Sequence, residues 1–338
     1  MININSNWKD KEIGQPFLLE PIGKDYLWGG RRLKDDFSKQ IEMVPLAETW
    51  ECSTHPDGVS KISSGKNKGK TLVEVLKEHP EYIGKYANKK GQIPILIKLI
   101  DAAQDLSVQV HPDDKYAKEK ENGSFGKSEM WYVLDAKKNA EIIYGFRHNI
   151  DEKKLRNSIV KGIIDKHLQH VKIKKDDIFY VEPGTVHGIG AGALIAEIQE
   201  NSNLTYRLYD YNRVDKKGNK RELHIEKAMD VINLNAMPEP RQPMRMLKYQ
   251  PGCAMELLCR CKYFQVERML INTERCRSMA EVKGISLSFQ VLLCTEGCGT
   301  VFTDKISFCF FKGDCIFVPA GSGVLKLHGK AQLLKIMC

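Results

Sequence analysis

The sequence predicts a mainly β protein that is built from two related β-barrel modules and a few short helices. Short apolar runs, about four to eight residues long, are separated by turns with Gly or Pro, which is typical of strands. Residues 313–327 (GDCIFVPAGSGVLKL) also resemble residues 176–190 (DDIFYVEPGTVHGIG), since each has an acid, an apolar strand and a turn with Pro and Gly. This weak repeat indicates two modules of the same kind.

Strands and short helices are mixed in the first part of the chain. A helix is predicted over residues 71–88, where Thr71 and Glu74 form a capping box and Pro80 divides the helix into two pieces. Asp151 is expected to cap a second helix, DEKKLRNSIVKG. The predicted strands include PFLLEPIG, IPILIKLIDA and LSVQV, a hairpin-like pair of SEMWYVLDA and AEIIYGF, two strands around KKDD, and a pair within ALIAEIQENSNLTYRLYDYNR.

The domain boundary is expected at a proline-rich segment. With 338 residues, the chain is long enough for two domains. Residues 237–247 (MPEPRQPMRML) have three prolines in six residues, which is typical of a linker. We therefore expect a catalytic domain at 1–236, a linker at 237–247 and a C-terminal β domain without metal ligands at 248–338.

Composition excludes several classes of protein. Hydrophobic residues are 42% and charged residues 28%, as in ordinary globular proteins. There is no long apolar run and no signal-peptide pattern, so we expect a cytoplasmic protein without a membrane partner. The net charge is +9, but no basic stripe with interleaved aromatics predicts nucleic-acid binding. A basic balance does suit a small anionic substrate.

Cysteine is concentrated near the end of the chain. Nine of the ten cysteines lie between Cys253 and Cys338, and none forms a C-x-x-C pair. Without a secretion signal, this pattern favours free and mostly buried thiols. A second, structural zinc site in this region is the alternative.

The stretch LSVQVHPDDKYA, residues 106–117, contains the first candidate site. Gln109 and His111 are two residues apart in an apolar, β-branched run, so their side chains point to the same face of a strand. Pro112 ends that strand, which places an amide and an imidazole together at one end of a sheet. By itself, this pair is more typical of a hydrogen-bonded surface pair than of a metal site.

Two later segments could complete a metal site there. Glu129 lies in GKSEMWYVL, and His187 follows a tight turn made by Pro183 and Gly184. Two histidines, a carboxylate and an amide suit zinc or a similar divalent ion, with one position open for water or substrate.

Two charged residues stand out in other predicted strands. Lys98 lies inside the apolar strand at residues 93–102, which is costly unless the lysine is paired, functional or extended to the surface. Glu48 shares a strand face with Trp50 and Cys52, and is either exposed to solvent or directed into a barrel mouth.

Four motifs together resemble the type I mannose-6-phosphate isomerase family in its short bacterial form. They are LSVQVHPDD, GKSEMWY, VEPGTVHGI and EIQENSNLTYRLYDYNR, in the family's order, within a similarity over residues 16–235. The resemblance implies a cupin fold of two jelly-roll-like β-barrel domains. It also implies a zinc-dependent aldose–ketose isomerase, with one zinc ion per chain, that interconverts D-mannose 6-phosphate and D-fructose 6-phosphate as a monomer or homodimer.

The resemblance also implies roles for particular residues. The metal ligands fall on Gln109, His111, Glu129 and His187, and the catalytic arginine falls on Arg207 in TYRLYDYNR. The positions of phosphate-binding or substrate-facing polar residues are occupied by Lys98, Ser107 and Lys127.

The expected chemistry moves a carbonyl between C1 and C2 of a sugar through an enediolate. A divalent metal and Arg207 would stabilise the developing negative charge. Three proton carriers remain open: Lys127, Glu48, which is also a candidate substrate contact, and a metal-bound water. The alternatives to an isomerase are an iron-dependent cupin oxygenase, a non-catalytic sugar-phosphate sensor and a purely structural β protein.

Overall fold

The fold is mainly β, as predicted. The computed structural model describes residues 14–86, 88–214, 217–243 and 247–338. In this part of the chain the helices are α1 (Arg32–Asp35), α2 (Leu72–Glu78), α3 (Asp114–Lys120), α4 (Glu152–Val160) and α5 (Ile225–Val231). Two 3-10 turns cover Pro80–Ile83 and Ile164–His167.

The strands of the first part of the chain are β1 (Phe17–Glu20), β2 (Ile22–Lys24), β3 (Glu48–Cys52), β4 (Thr54–His55), β5 (Gly58–Val59), β6 (Lys61–Ile62), β7 (Ile95–Asp101), β8 (Val108–Val110), β9 (Glu129–Ala136), β10 (Glu141–Phe146), β11 (Leu168–Lys172), β12 (Ile178–Val181), β13 (His187–Ile189), β14 (Ala193–Glu200) and β15 (Tyr206–Tyr209). Those of the last part are β16 (Lys248–Gln250), β17 (Cys253–Arg260), β18 (Gln265–Asn272), β19 (Ala280–Lys283), β20 (Gln290–Phe302), β21 (Ser307–Phe311), β22 (Cys315–Val318) and β23 (Val324–Met337).

Three antiparallel sheets form the framework. The five-stranded sheet has the order β11-β10-β13-β8-β15, and the six-stranded sheet has the order β12-β9-β14-β7-β3-β2. The C-terminal sheet has ten strands, with the main order β16-β17-β18-β23-β20-β22-β1-β6. The cupin-like architecture is confirmed, but the strands pair in open, stacked sheets and not in closed barrels.

The five-stranded and six-stranded sheets pack face to face. Trp131 and Ile195 of the six-stranded sheet meet Ile142 and Ile189 of the five-stranded sheet in one buried cluster. On its outer face, the five-stranded sheet is covered by α4 and α5, which contribute Leu155 and Ala228 to a second cluster. The two helices therefore shield the outer face of the five-stranded sheet from solvent.

The other face of the six-stranded sheet packs against the C-terminal sheet. Leu99 and Met130 share a buried cluster with Val291 and Phe317. The six-stranded sheet is thus covered on both faces, and all seven residues of Ile95–Asp101 are buried. This burial explains why its strands are continuous apolar runs without a polar alternation.

Several local predictions are confirmed. Thr71 and Glu74 form the capping box at the start of α2, and a 3-10 turn begins at Pro80 after that helix ends. The Asp151 side chain accepts a hydrogen bond from the backbone N–H of Lys154 and caps α4. All ten cysteines are free, but only four of the nine between Cys253 and Cys338 are buried, so the prediction that most of these thiols are buried is wrong. No helix in the described part of the chain is long and apolar enough to cross a membrane.

The predicted strand pairs are wrong. Strand β9 pairs with β12 and β14, whereas β10 pairs with β11 and β13 in the opposite sheet. Strands β14 and β15 also lie in different sheets, as do β11 and β12. The chain crosses between facing sheets at these turns, so consecutive strands do not become neighbours as they would in a hairpin.

A buried ion pair joins the first and last parts of the chain. The Nζ of Lys39 lies 2.6 Å from Oε2 of Glu51 and donates a hydrogen bond to the carbonyl of Gly313. The other oxygen of Glu51 accepts a hydrogen bond from the Thr49 hydroxyl at 2.6 Å. Burial raises the pKa of Glu51, although Lys39 and Thr49 oppose the rise.

Replacing the lysine of this pair should destabilise the protein strongly. We expect Lys39→Met to lower the free energy of unfolding by about 3–5 kcal/mol, because it leaves a buried carboxylate without its cation. Urea denaturation at pH 7.5 measures the loss. The control Lys118→Met, on the exposed face of α3, should change stability by less than about 0.5 kcal/mol. A loss of less than about 1 kcal/mol in Lys39→Met would contradict this account of the pair.

Candidate active site

Two strands of the five-stranded sheet bring an amide and two imidazoles together. Gln109 in β8 is paired in register with His187, the first residue of β13, and His111 follows the end of β8. The turn before His187 contains Gly184 at φ +84°, where an added Cβ would lie 2.8 Å from the carbonyl oxygen of Val231. The Gly184 N–H also donates to the His111 carbonyl at 2.9 Å, which ties the turn to the end of β8.

The carboxylate comes from the opposite sheet. Glu129 is the first residue of β9, and its Oε1 lies 3.1 Å from Nε2 of His111. Its Oε2 lies 3.8 Å from Nε2 of His187. The two histidine Nε2 atoms are 3.1 Å apart, and Nε2 of Gln109 is 3.4 Å from Nε2 of His187. The four predicted ligands therefore converge between the two sheets.

These separations suit a small cation. Bonds of about 2.0–2.1 Å to a tetrahedral zinc ion place neighbouring ligand atoms about 3.3 Å apart. His111, Glu129 and His187 are buried and each offers a ligand atom, with these atoms within 4.8 Å of one another. The arrangement of nitrogen and oxygen donors therefore fits a divalent metal ion.

The imidazoles of His111 and His187 are uncharged, as metal ligands must be. Burial, followed by the charge of Lys127, lowers the pKa of His111 to about 3, and burial also lowers the pKa of His187. The Nδ1 of His187 lies 2.8 Å from the carbonyl oxygen of Thr185, so the proton sits on Nδ1 and the Nε2 lone pair faces the cluster. A hydrogen bond of this kind is typical of a metal-binding histidine.

Lys127 is held directly against the cluster. Its Nζ lies 2.6 Å from Oε1 of Glu129 and 3.2 Å from Nε2 of His111. Burial opposes ionisation of Glu129, but the Lys127 ammonium and the two histidines hold the pKa of the carboxyl well below its usual range. The cluster therefore contains a carboxylate, a neutral pair of imidazoles and an ammonium.

Arg207 and Ser107 lie further along the same face of the five-stranded sheet. The Ser107 hydroxyl is 3.4 Å from Oε1 of Gln109 and accepts a hydrogen bond from Nε of Arg207 at 3.3 Å. Arg207 is also held by a hydrogen bond from Nη1 to the carbonyl of Glu222 at 2.9 Å.

One cavity of about 250 Å³ connects all of these groups. Of the nine residues predicted for the site, seven line the cavity, and His111 and Glu129 lie behind its inner wall against His187. Glu48 belongs to this cavity, so the alternative of a solvent-exposed strand face is wrong for this residue.

Comparisons with known proteins identify the family of this chain. A sequence profile of the phosphomannose isomerase type I catalytic domain matches residues 17–144. The mannose-6-phosphate isomerase ManA of Bacillus subtilis is 39% identical over 95% of this chain and 98% of its own length. The chain belongs to the type I phosphomannose isomerase family.

Other relatives extend the match. The mannose-6-phosphate isomerase of Streptococcus mutans is 43% identical over 67% of this chain and 72% of its own length. A crystal structure of the mannose 6-phosphate isomerase from Bacillus subtilis superposes with a TM-score of 0.86 at 36% identity, covering 96% of this chain and 99% of that one. A putative mannosephosphate isomerase from Archaeoglobus fulgidus shares the fold, with a TM-score of 0.73, 21% identity and coverage of 95% of this chain and 96% of its own.

Glu197 is a charged residue of the cavity that was not predicted from the sequence. The carboxylate of Glu197 lies 3.1 Å from Nζ of Lys98 and accepts a hydrogen bond from Nε1 of Trp131 at 3.0 Å. The same indole nitrogen is 3.1 Å from Oε2 of Glu129, so Trp131 links the two carboxylates. Burial, followed by the charge of Glu129, raises the pKa of Glu197. A signal did exist in the sequence, since an acid inside a fully buried strand requires a partner.

Lys98 is paired and does not extend to the surface. Glu197 lies directly opposite it in the register of β14 and β7, and Oε2 of Glu48 is 3.8 Å from its Nζ. Burial opposes protonation, but the Glu48 and Glu197 carboxylates raise the pKa of Lys98. The ammonium therefore remains charged inside the cavity.

Arg221 is a second charged residue of the cavity that was not predicted from the sequence. It lines the cavity beside Arg207, and its guanidinium is held by the carboxylate of Asp210. Burial, followed by the charge of Arg221, lowers the pKa of Arg207. The cavity wall therefore includes two guanidinium groups.

A buried carboxyl group supports the segment before Glu129. Oε1 of Glu200 accepts a hydrogen bond from the backbone N–H of Ser128 at 2.8 Å. Burial raises the pKa of Glu200 to about 7, and although the Ser128 N–H opposes the rise, the neighbouring Asp114 carboxylate adds to it. The folded protein thus keeps a proton on Glu200 that the unfolded chain loses at lower pH.

The stability of the protein should therefore fall with pH through this group. Between pH 4.5 and about 7 the unfolded state releases the Glu200 proton first, so the stabilising contribution is complete below this range and is lost as pH rises through it. We expect Glu200→Gln, which imitates the protonated acid, to match the parent protein near pH 4.5 and to exceed it by about 3 kcal/mol above pH 7.5. Urea denaturation from pH 4.5 to 8.5 in the presence of a chelator measures the difference.

The control for this prediction is Glu119→Gln on the exposed face of α3. This variant should keep the pH dependence of the parent protein. If Glu200→Gln and the parent protein showed the same slope of stability against pH, Glu200 would not hold the extra proton in the folded state.

Proposed function

We propose that this chain is a metal-dependent aldose–ketose isomerase that interconverts D-mannose 6-phosphate and D-fructose 6-phosphate. The observation that carries the proposal is the convergence of Gln109, His111, Glu129 and His187 at the inner end of a cavity with charged walls. Relatives that match nearly the whole chain are named mannose-6-phosphate isomerases. The charged side chains of Lys98, Lys127 and Arg207 in the cavity wall disfavour an oxygenase, which usually has an apolar pocket. They also disfavour a purely structural protein, which would not need them.

The four converging residues would hold one zinc ion. The two imidazoles offer their Nε2 atoms, Glu129 offers a carboxylate oxygen, and Gln109 offers its amide oxygen after a half-turn of the amide group. When bound, a divalent cation supplies a positive charge that polarises the oxygens on C1 and C2 of the sugar.

Lys127 is the catalytic residue that we place beside the reacting carbons. Its ammonium lines the cavity next to the cluster and can donate a proton or hydrogen bond to a sugar oxygen. The carboxylates of Glu48 and Glu197 face the same space from the six-stranded sheet and are the acceptors available for a carbon-bound proton. Lys98 and Ser107 complete the set of substrate contacts.

Arg207 supplies the fixed positive charge on the other side of the cavity. Its guanidinium is anchored by the Ser107 hydroxyl and the Glu222 carbonyl, so it is oriented before substrate binds. A permanently charged, planar group can stabilise an enediolate or a phosphate, but it is a poor base.

The remaining assignments follow from composition and chain layout. We propose that residues 1–236 carry the site, that residues 237–247 form the linker and that residues 248–338 form a β domain without metal ligands. Ten free cysteines support a reducing compartment such as the cytoplasm. The substrate is a small sugar phosphate, and the chain works without nucleic acid or membrane as a monomer or homodimer.

A coupled assay with purified protein of known metal content tests the proposal. Fructose 6-phosphate formation from mannose 6-phosphate should disappear when a chelator is added and return when zinc is added. The reason is that a bound divalent ion would stabilise the negative charge that develops on the sugar oxygens. His187→Ala should lose bound metal and turnover together. Turnover that survives in metal-free protein would refute metal dependence, and bound zinc without any turnover would favour the sensor alternative.

Replacing Arg207 tests its role separately. Arg207→Lys should retain the metal, because Arg207 does not touch the ligand atoms, yet turnover should fall on the order of 10²-fold since a point charge does not replace the planar guanidinium. Metal analysis and steady-state kinetics on the same preparation measure both effects. The matched control is Arg260→Lys at the exposed end of β17. Turnover close to that of the parent protein would remove Arg207 from the mechanism.

A further inference from the structure

Two strands of the six-stranded sheet begin with the same short motif. Strands β3 and β9 each start with Glu and have Trp two residues later. Residues two apart on a strand share a face, so each indole lies beside the carboxylate that precedes it. The Nε1 of Trp50 donates to Oε2 of Glu48 at 2.8 Å, and the Nε1 of Trp131 donates to Oε2 of Glu129 at 3.1 Å. Both indoles are buried.

The two tryptophans differ in their other contacts. The N–H of Trp131 is shared with a second carboxylate, because its Nε1 also lies 3.0 Å from Oε1 of Glu197. Its ring packs edge-on against His187, with the ring centroids 5.5 Å apart and the planes at 72°. For Trp50, the N–H has a single acceptor among the described residues, and the ring packs edge-on against His55, which is not a candidate metal ligand. Trp131 alone of this pair therefore contacts the candidate metal ligands.

The bond to Trp131 distinguishes the two oxygens of Glu129. Oε2 accepts the indole N–H and lies 3.8 Å from Nε2 of His187. Oε1 lies closer to the cluster, at 3.1 Å from Nε2 of His111 and 2.6 Å from Nζ of Lys127. A carboxylate that is held through one oxygen does not turn freely, so its other oxygen stays directed at the imidazole. Carboxylates that bind metals are oriented by hydrogen bonds of this kind.

The same N–H holds Glu197 next to the cluster without adding it to the ligands. Glu197 is paired in register with Trp131 on one side and with Lys98 on the other, and its Oε2 lies 3.1 Å from Nζ of Lys98. Among the described residues, the group whose ligand atoms lie within 4.8 Å of one another contains Glu129 but not Glu197. A hydrogen bond to a charged acceptor is strong, so one indole N–H between two carboxylates restrains both of them.

We propose that Trp131 is a positioning residue of the metal centre. Its N–H fixes Glu129 so that Oε1 is presented to the metal, and it holds Glu197 as a separate carboxylate that faces the sugar. Trp131 acts through these two side chains and takes no part in the reaction itself. This inference rests on the zinc site of the proposed function. It adds the residue that divides two neighbouring carboxylates between metal binding and proton transfer.

The zinc affinity of the full chain tests the proposal. Metal-free protein is titrated with zinc in competition with a chromophoric chelator of known affinity. Trp131→Phe keeps an aromatic ring but removes the N–H, and it should bind zinc about 10-fold to 100-fold more weakly than the parent protein, as expected when a ligand loses its hydrogen-bond partner. The matched control Trp50→Phe makes the same change in the same motif. Its zinc affinity should change less than about twofold, because Trp50 contacts none of the ligands.

Cobalt gives a readout that a general loss of packing would not change. Co²⁺ replaces zinc at sites with nitrogen and oxygen ligands, and its visible absorption reports the number and arrangement of those ligands. Without the N–H, the Glu129 carboxylate can turn and bind through both oxygens, so the absorption of the Co²⁺ form of Trp131→Phe should be weaker than that of the parent protein. Trp50→Phe should give the parent spectrum. Urea denaturation in a chelator measures the packing loss of both variants separately.

Each outcome decides for or against the role of Trp131. Equal zinc affinity in Trp131→Phe and the parent protein, or an equal loss in Trp50→Phe, would overturn it. If Trp131→Phe did not fold, the ¹⁵N-labelled indole signals of the parent protein would decide, once assigned by replacing the other three tryptophans one at a time. Zinc should shift the Trp131 signal more than the Trp50 signal, and equal shifts would reject the proposal. A parent protein that shows these effects but does not isomerise mannose 6-phosphate would refute the proposed function and support the positioning role.

Discussion

The need to neutralise charges that are buried between two sheets governs the organisation of this protein. Lys98, Lys127 and Glu197 line one cavity, Glu129 lies directly behind its inner wall, and each of the four is within 3.1 Å of an opposite charge. An unpaired ion at this depth would be far more costly than any local packing defect. The register that places Glu197 opposite Lys98 is therefore both a condition for stability and the source of the polar cavity.

The same constraint explains how the sheets are stacked. Apolar clusters seal both faces of the six-stranded sheet, and α4 and α5 seal the back of the five-stranded sheet. Between these two sheets, charged and polar side chains gather around the cavity. In such a dry region the interactions among carboxylates, ammonium groups and a metal ion are stronger than they would be in water.

Much of the site was predictable because the signals that place it are local. The period of two in LSVQVHPDD places Gln109 and His111 on one face, and the Pro–Gly turn places His187 beside them. The pairing of strands was not predictable in this way, since β9 and β10 are consecutive in sequence but belong to facing sheets. Glu197 and Arg221 were missed for a related reason. Their roles depend on Lys98, Asp210 and Arg207, which only the folded chain brings near them.

The position of the first strand has a consequence for how the chain acquires its structure during synthesis. Strand β1 pairs with β22, so Phe17 finds its register partner Phe317 only near the end of the sequence. At about 5–20 residues per second, a ribosome takes about 15–60 s to complete the stretch between them. During that interval the apolar residues of β1 lack their final neighbour. The sheet that contains β1 and β22 is therefore completed last, after the two sheets around the cavity have been synthesised.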